Sequence, residues 1–407
     1  MVLTEKISKN NVRSYIWHAV FLALAQNFMD VDTIIPSMLI DAGGTSFHIG
    51  LLTAIMVGGS SFSQIFFTPV LSNKSRKKGY LLFGINLRVA VLFGLGFLLF
   101  WYNSQVDQSA IVWVIFILIS LFSISGAFAA ISYSDILGRS VLKESRKSFF
   151  SLRQALSSIG ILLSAYFAGK VLTGFDYPTN YSWLFLIAGS GLLIASFGFW
   201  NIKEIPGSKL QISGVRDYLN VIRTEIKNNK RLRNYLLLVN TLGVSVSVLP
   251  FIVLYGKEYF GITTGDISFF LLLKVIAGVI FGTLLFFYSK KVKYSMLLYA
   301  ITLLALFAPI TIWLFDSESL FGVYFFIGGV IYTLYKVAIE GILLEVSDNQ
   351  NRTVYIGIMG VGNLLPALFP VFGGWLIPRL GFGAFFGVFS LIILVSVFVI
   401  GKLDCKK

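Results

Sequence analysis

The residues able to do chemistry in this sequence are few, and most are charged side chains set inside long apolar runs. Asp30 stands in the first run with Gln26 and Asn27 before it and Thr33 and Ser37 after it, at the spacing of one helical stripe. A carboxylate at the centre of a membrane helix costs about 2.5–3.5 kcal/mol on insertion scales, so the stripe must face protein or water. The chemistry open to such a group is proton exchange, because burial favours the neutral acid and hydration the carboxylate. Tyr332, Lys336 and Glu340 recur at i+4 spacing in the tenth run, where Lys336 and Glu340 can pair within one helix. An ion pair that only fastens the helix explains them equally well. Asn240, with Thr241, Ser245 and Ser247, brings hydrogen-bonding groups to the seventh run.

Gln26, Asn27, Asp30, Asn240, Tyr332, Lys336 and Glu340 are therefore the candidate solute and proton site, with Lys336 the natural partner for Asp30. Arg88, Asp135, Arg139 and Arg153 form a second candidate group, a charge cluster that would lock or release a cytoplasmic gate. Asp32 lies about 200° around the helix from Asp30 and shares its environment only if the helix is broken. Near the outer surface it is expected to be hydrated. Lys274, in the middle of the eighth run, has no partner evident in the sequence.

Other chemistries lack their residues. Cys405 is the single cysteine and His18 and His48 the two histidines, which argues against disulfides, metal sites and nucleophilic catalysis. No Gly-Lys-Ser or Gly-Lys-Thr phosphate loop occurs. Neither a cofactor nor a metal is expected, and the chain does not read as an enzyme.

The elements that position these residues follow from composition. Hydrophobic residues make up 56% of the 407 and charged residues 13%, with a mean hydropathy of +0.82, against roughly 45–50% and 25% in soluble domains. Spanning-length apolar runs fall at about 15–40, 46–72, 79–102, 110–137, 150–172, 181–202, 234–256, 266–289, 294–315, 319–346, 353–378 and 382–401. The reading is an all-α membrane protein of twelve transmembrane helices, with a first run too long for a signal-peptide core. The net charge of +14 reflects topology and not nucleic acid, because 26 of the 33 Lys and Arg residues lie on one side of the predicted spans. That side is cytoplasmic by the positive-inside rule and holds both termini.

The connection 203–233 carries eight of these basic residues. Val215, Leu219, Ile222 and Ile226 recur there at i, i+4, i+7 and i+11, which predicts a helix along the membrane surface. The stretch from Ile49 through Lys74 to Leu82 runs parallel to that from Ile267 through Lys290 to Leu298, at an offset of about half the chain. Residues 1–202 and 234–407 thus read as two pseudo-symmetric six-helix bundles joined by 203–233.

Twelve spans, a short basic second connection, a weaker copy in the eighth and a long basic centre together resemble the major facilitator superfamily. The second connection reads Pro69-Val70-Leu71-Ser72-Asn73-Lys74-Ser75-Arg76-Lys77-Lys78, keeping the basic half of that family's motif with Asn73 in place of its Asp. No Arg stands in the fourth span and no Pro in the fifth, unlike the family's drug–proton antiporters. The resemblance implies that spans 1, 4, 7 and 10 line a central cavity. It also implies a secondary transporter that carries a small solute by alternating access, and leaves the coupling ion open, protons being one candidate. The partners expected are the solute, protons and membrane lipid, in a monomer of the bacterial cytoplasmic membrane. A lipid or amphiphile flippase, served by 39 phenylalanines, and a uniporter are the alternatives.

The topology is testable through the single thiol. An impermeant maleimide added outside intact cells is expected to leave Cys405 unlabelled until the membrane is permeabilised, and labelling from outside would reverse the orientation.

Overall fold

The computed structural model describes residues 3–101, 108–206, 214–288, 292–315, 317–346, 358 and 362–403. Lys209, Lys290, Lys291, Arg352 and Cys405, with most of the expected start of the eleventh span, lie outside the described residues. Helices are α1 (Glu5–Gln26), α2 (Ile34–Asp41), α3 (Ser46–Ser72), α4 (Lys78–Phe100), α5 (Gln108–Ser140), α6 (Lys143–Gly174), α7 (Thr179–Trp200) and the connecting α8 (Val215–Asn228). They continue as α9 (Lys230–Leu242), α10 (Leu249–Phe260), α11 (Thr264–Tyr288), α12 (Tyr294–Leu314), α13 (Phe321–Val346) and α14 (Leu364–Ile400). No strand occurs among the described residues.

Eleven helical stretches among the described residues are long and apolar enough to cross a bilayer. The last, α14, contains Gly381 at φ 78° and ψ 174°, a conformation glycine adopts without steric cost. It is therefore two spans joined at a kink, and the expected eleventh and twelfth runs are both present.

Two expected spans are broken. The first divides into α1 and α2 around a 3-10 turn at Asn27–Met29, and the seventh into α9 and α10 around Gly243–Ser247. Pro36 and Pro250 sit in the first turns of α2 and α10. A proline ring clashes with the carbonyl four residues back and offers no N–H, so each weakens its helix where the span is interrupted, although Pro69, Pro309, Pro370 and Pro378 lie inside helices and proline alone does not force a break. The single helical stripe expected from Gln26 to Ser37 is corrected accordingly. Gln26 is exposed, whereas Asn27, Asp30, Thr33 and Ser37 are buried.

The chain divides into two compact units. The first comprises Met1–Asp30 and Phe62–Tyr218, and the second Val31–Ser61 and Leu219–Lys407. In the first, α1 packs on α6 and α7, and α4 on α5 and α7. Polar residues start α1 well before its apolar run. Asn11 donates to the carbonyls of Ser140 (3.1 Å) and Lys203 (3.0 Å) and accepts from the Lys203 amide at 2.8 Å, so this turn is built on hydrogen bonds. In the second unit α11 and α12 pack on α13, and α14 on α9 and α12, while α2 lies against α10 and α11. The outer parts of spans 1 and 2 therefore belong to the unit that holds the second half of the sequence.

The connecting segment is helical over Val215–Asn228 as expected, with a different buried face. Tyr218 and Ile222 are buried, and Leu219 is 43% exposed. The phenol ring carries more apolar surface than leucine, and it shifts the buried stripe by one residue.

Lipid tails are as apolar as leucine, so helices associate in a bilayer by close packing and hydrogen bonding. Gly50 of α3 and Gly374 of α14 show how close. A Cβ on Gly50 would collide with the Pro370 carbonyl, and one on Gly374 would meet the Ser46 carbonyl and stand 2.9 Å from Phe47 Cα. Ser46 Oγ donates to the Gly374 carbonyl at 3.2 Å in the same contact. Gly374→Val is expected to destabilise the detergent-solubilised protein by about 1–3 kcal/mol, read as a lower midpoint of thermal unfolding by tryptophan fluorescence. Gly79→Ala, where no atom lies within 4 Å, should leave it unchanged.

Candidate functional site

The break in the first span places its polar residues in unlike surroundings. Asn27 donates both amide hydrogens to α6, to the Ile161 carbonyl at 2.8 Å and Ser164 Oγ at 2.9 Å, and Ser164 Oγ donates to the Ala23 carbonyl at 3.0 Å. Those donors are committed to holding α1 on α6, and none remains for a solute. Asp30 follows the turn in extended conformation, φ −64° and ψ 127°, and is 9% exposed. Its carboxylate is thus buried beside the turn that interrupts the first span.

Asp32, expected to be hydrated, is instead 2.7 Å from Lys274 Nζ, with the two side chains 16% and 12% exposed. This pair accounts for the lysine in the middle of the eighth span. Nothing in the sequence connects residues 242 positions apart except that each is a span-embedded charge of opposite sign. A second bond holds the far end of α2, where Lys257 Nζ meets Asp41 at 2.5 Å and donates to the Ser37 carbonyl at 3.3 Å. Asp41 and Lys257 lie 216 positions apart, and no local pattern joins them.

On α13, Tyr332, Lys336 and Glu340 are all exposed and share a face. Lys336 and Glu340 form no ion pair among the described residues, contrary to the pairing their spacing permits. Two charges on the open face of a membrane helix cannot lie against lipid at low cost. Asn240 behaves like Asn27. Its amide donates to the carbonyls of Leu236 (2.8 Å) and Gly362 (2.5 Å), and its oxygen accepts from the Leu365 amide at 2.8 Å, which joins α9 to the start of α14. The hydroxyls of Thr241, Ser245 and Ser247 donate to carbonyls of their own turn.

The gate cluster is assembled in part. Asp135 accepts from Arg139 at 2.6 Å and pairs with Lys77 at 3.0 Å. Glu204, which the sequence analysis passed over, accepts the backbone N–H groups of Lys77 and Lys78, the latter at 3.2 Å. Lys78 Nζ donates to the carbonyls of Trp200 (2.6 Å) and Ile202 (3.0 Å). All these residues belong to the first unit, where they tie the ends of α4, α5 and α7 together. Arg88 and Arg153 do not join them. The Arg88 guanidinium lies 4.0 Å over the Phe122 ring, and Arg153 Nη1 donates to the Tyr133 hydroxyl at 3.3 Å. Lys77 supplies the positive charge expected of the two arginines because it enters from the connection directly beside the end of α5.

Apolar spans broken at Asp30 and at Gly243, in-span charges and an open charged helix face define a multi-pass membrane carrier. The Major Facilitator Superfamily profile matches residues 17–317, and the chain belongs to that family. No curated protein matches the sequence. Among solved structures, a D-xylose–proton symporter is similar over 97% of each chain, with a TM-score of 0.68 at 12% identity. A point mutant of the nucleoside transporter NupG is similar over 97% of this chain and 100% of its own, with a TM-score of 0.67 at 15% identity. A POT family transporter in complex with a thioalcohol-conjugated peptide is similar over 97% and 96%, with a TM-score of 0.71 at 13% identity. At these identities the likeness is one of fold.

The Asp32–Lys274 pair makes a double-mutant cycle informative. Lys274→Met alone is expected to cost about 3–5 kcal/mol by stranding a largely buried carboxylate, and adding Asp32→Asn should recover most of that loss. Thermal unfolding of the four proteins measures it, and equal losses in the single and double variants would show that the two charges are not coupled.

Proposed function

We propose that this protein is a secondary active transporter of a small solute, driven by protons through Asp30. It works as a monomer in the bacterial cytoplasmic membrane, with both termini in the cytoplasm. Residues 1–202 and 234–407 act as the two bundles and 203–233 as their tether. Family membership supports transport as the activity, and one structural neighbour is described as a proton symporter.

The observation that carries the coupling role is the burial of Asp30 at the break of the first span. Transport against a gradient without ATP needs a group whose charge follows its exposure to either side of the membrane. A buried carboxylate is favoured neutral and a hydrated one ionised, so local opening at residues 27–33 would release a proton and closure would take one up. Glu340, on the exposed face of α13, ranks second.

Proteoliposomes loaded with a pH gradient and offered D-xylose, a nucleoside, a dipeptide or succinate test this reading. Asp30→Asn is expected to abolish gradient-driven accumulation while leaving exchange of the same solute largely intact. Accumulation that survives Asp30→Asn but not Glu340→Gln would move the role to Glu340. Accumulation indifferent to both substitutions would place the coupling on another group, and exchange without any gradient-driven accumulation in the unsubstituted protein would make it a uniporter.

A further inference from the structure

The basic residues that lie in or beside the spans fall into two sets. Lys77, Arg139, Lys257 and Lys274 each meet a carboxylate, at 3.0, 2.6, 2.5 and 2.7 Å. Arg88, Arg153 and Lys336 meet none among the described residues, and of these Lys336 lies on the exposed face of α13. Arg88 is the most demanding case. It lies ten residues into α4, about 15 Å along the helix axis, which is half the roughly 30 Å of a bilayer core. At that depth a side chain cannot reach the headgroups. Its Nε is buried without a hydrogen-bond partner, and its recorded contact is with the face of Phe122.

A cation over an aromatic face gains less than an arginine in mid-span costs, so the ring alone does not offset the placement. The guanidinium also carries five N–H donors and no described acceptor. The position is therefore unfavourable for the empty protein and becomes favourable when an acceptor arrives. Arg153 stands in the same unit with one neutral oxygen, that of Tyr133, as its hydrogen-bond partner, and the Tyr133 ring lies beside that of His18 of α1, with centroids 6.5 Å apart. The planar fork of arginine binds carboxylate and phosphate oxygens in pairs, which a lysine cannot do.

We propose that Arg88, assisted by Arg153, binds the anionic group of the transported solute, a carboxylate or a phosphate monoester. This rests on the transporter reading and names the substrate class within it. It also explains why Asp135 is engaged by Lys77 and Arg139, since that arrangement keeps this carboxylate away from the two arginines.

The test is ligand-induced thermal stabilisation of the purified full-length protein in detergent, at constant ionic strength. The probes are succinate, glycerol 3-phosphate, neutral D-xylose and phosphatidylglycerol. At least one of the two soluble anions is expected to raise the unfolding temperature in a saturable way. Arg88→Gln should weaken the half-saturating concentration about tenfold or more, and Arg153→Gln less. Arg88→Lys should bind between wild type and Arg88→Gln, and Arg216→Gln on exposed α8 should match wild type. Stabilisation by neither anion overturns the proposal, as does stabilisation indifferent to Arg88→Gln. Stabilisation by phosphatidylglycerol alone overturns it too, by assigning the arginine to a lipid headgroup. If Arg88→Gln aggregates on size exclusion, full affinity in both Arg88→Lys and Arg153→Gln overturns it. Binding needs no gradient, so its failure is separable from that of the transport reading. Flux of a neutral solute with no anion binding removes the anion site and keeps the transporter.

Discussion

A bilayer interior supplies no water to complete the hydrogen bonds of a polar group, and every in-span polar atom of this protein has to be met by protein, ligand or a local opening. The structure meets the requirement in distinct ways. Lys274 with Asp32 and Lys257 with Asp41 neutralise charge across helices. Asn27 and Asn240 spend their amides on backbone carbonyls of neighbouring helices. Lys336 and Glu340 remain on an open face. The same constraint makes the remaining cases informative, because an arginine with no carboxylate is an unfinished interaction.

The two broken spans are where the constraint is relaxed. A helix interrupted at 27–33 or 243–248 exposes backbone groups that a continuous helix would have satisfied, and such backbone is tolerated only inside protein or beside water. Pro36 and Pro250 follow the two breaks, one in each half of the sequence, and neither can donate the N–H that a continuous helix would use. The break also separates two acids that lie only two residues apart. Asp30 is buried in the first unit, while Asp32 opens onto Lys274 in the second. One carboxylate is held by a lysine, and its neighbour is buried beside the interrupted turn.

Side chains that looked alike in type therefore divide by what their donors already do. Asn27, Asn240, Asp135 and Arg139 are braces. Tyr332, Lys336 and Glu340 lie on an exposed face, Arg88 and Arg153 meet no carboxylate among the described residues, and Asp30 is buried at the break of the first span. A carrier needs both kinds, since a rigid frame makes small changes in hydration at one carboxylate consequential.

Apolar length and the placement of Lys and Arg are local properties, and they determined the all-α class, the number of spans and the family resemblance from sequence alone. The polar stripe of the first span was legible as residues but not as geometry, because a helical wheel assumes continuity that the turn at Asn27–Met29 interrupts. Pairings such as Asp32 with Lys274 and Lys77 with Asp135 join positions 242 and 58 apart in the chain, and no local pattern encodes them. Hydrophobicity decides that a segment enters the membrane. Which charges then meet depends on helix rotation and depth, which side-chain packing settles only when all the helices are assembled.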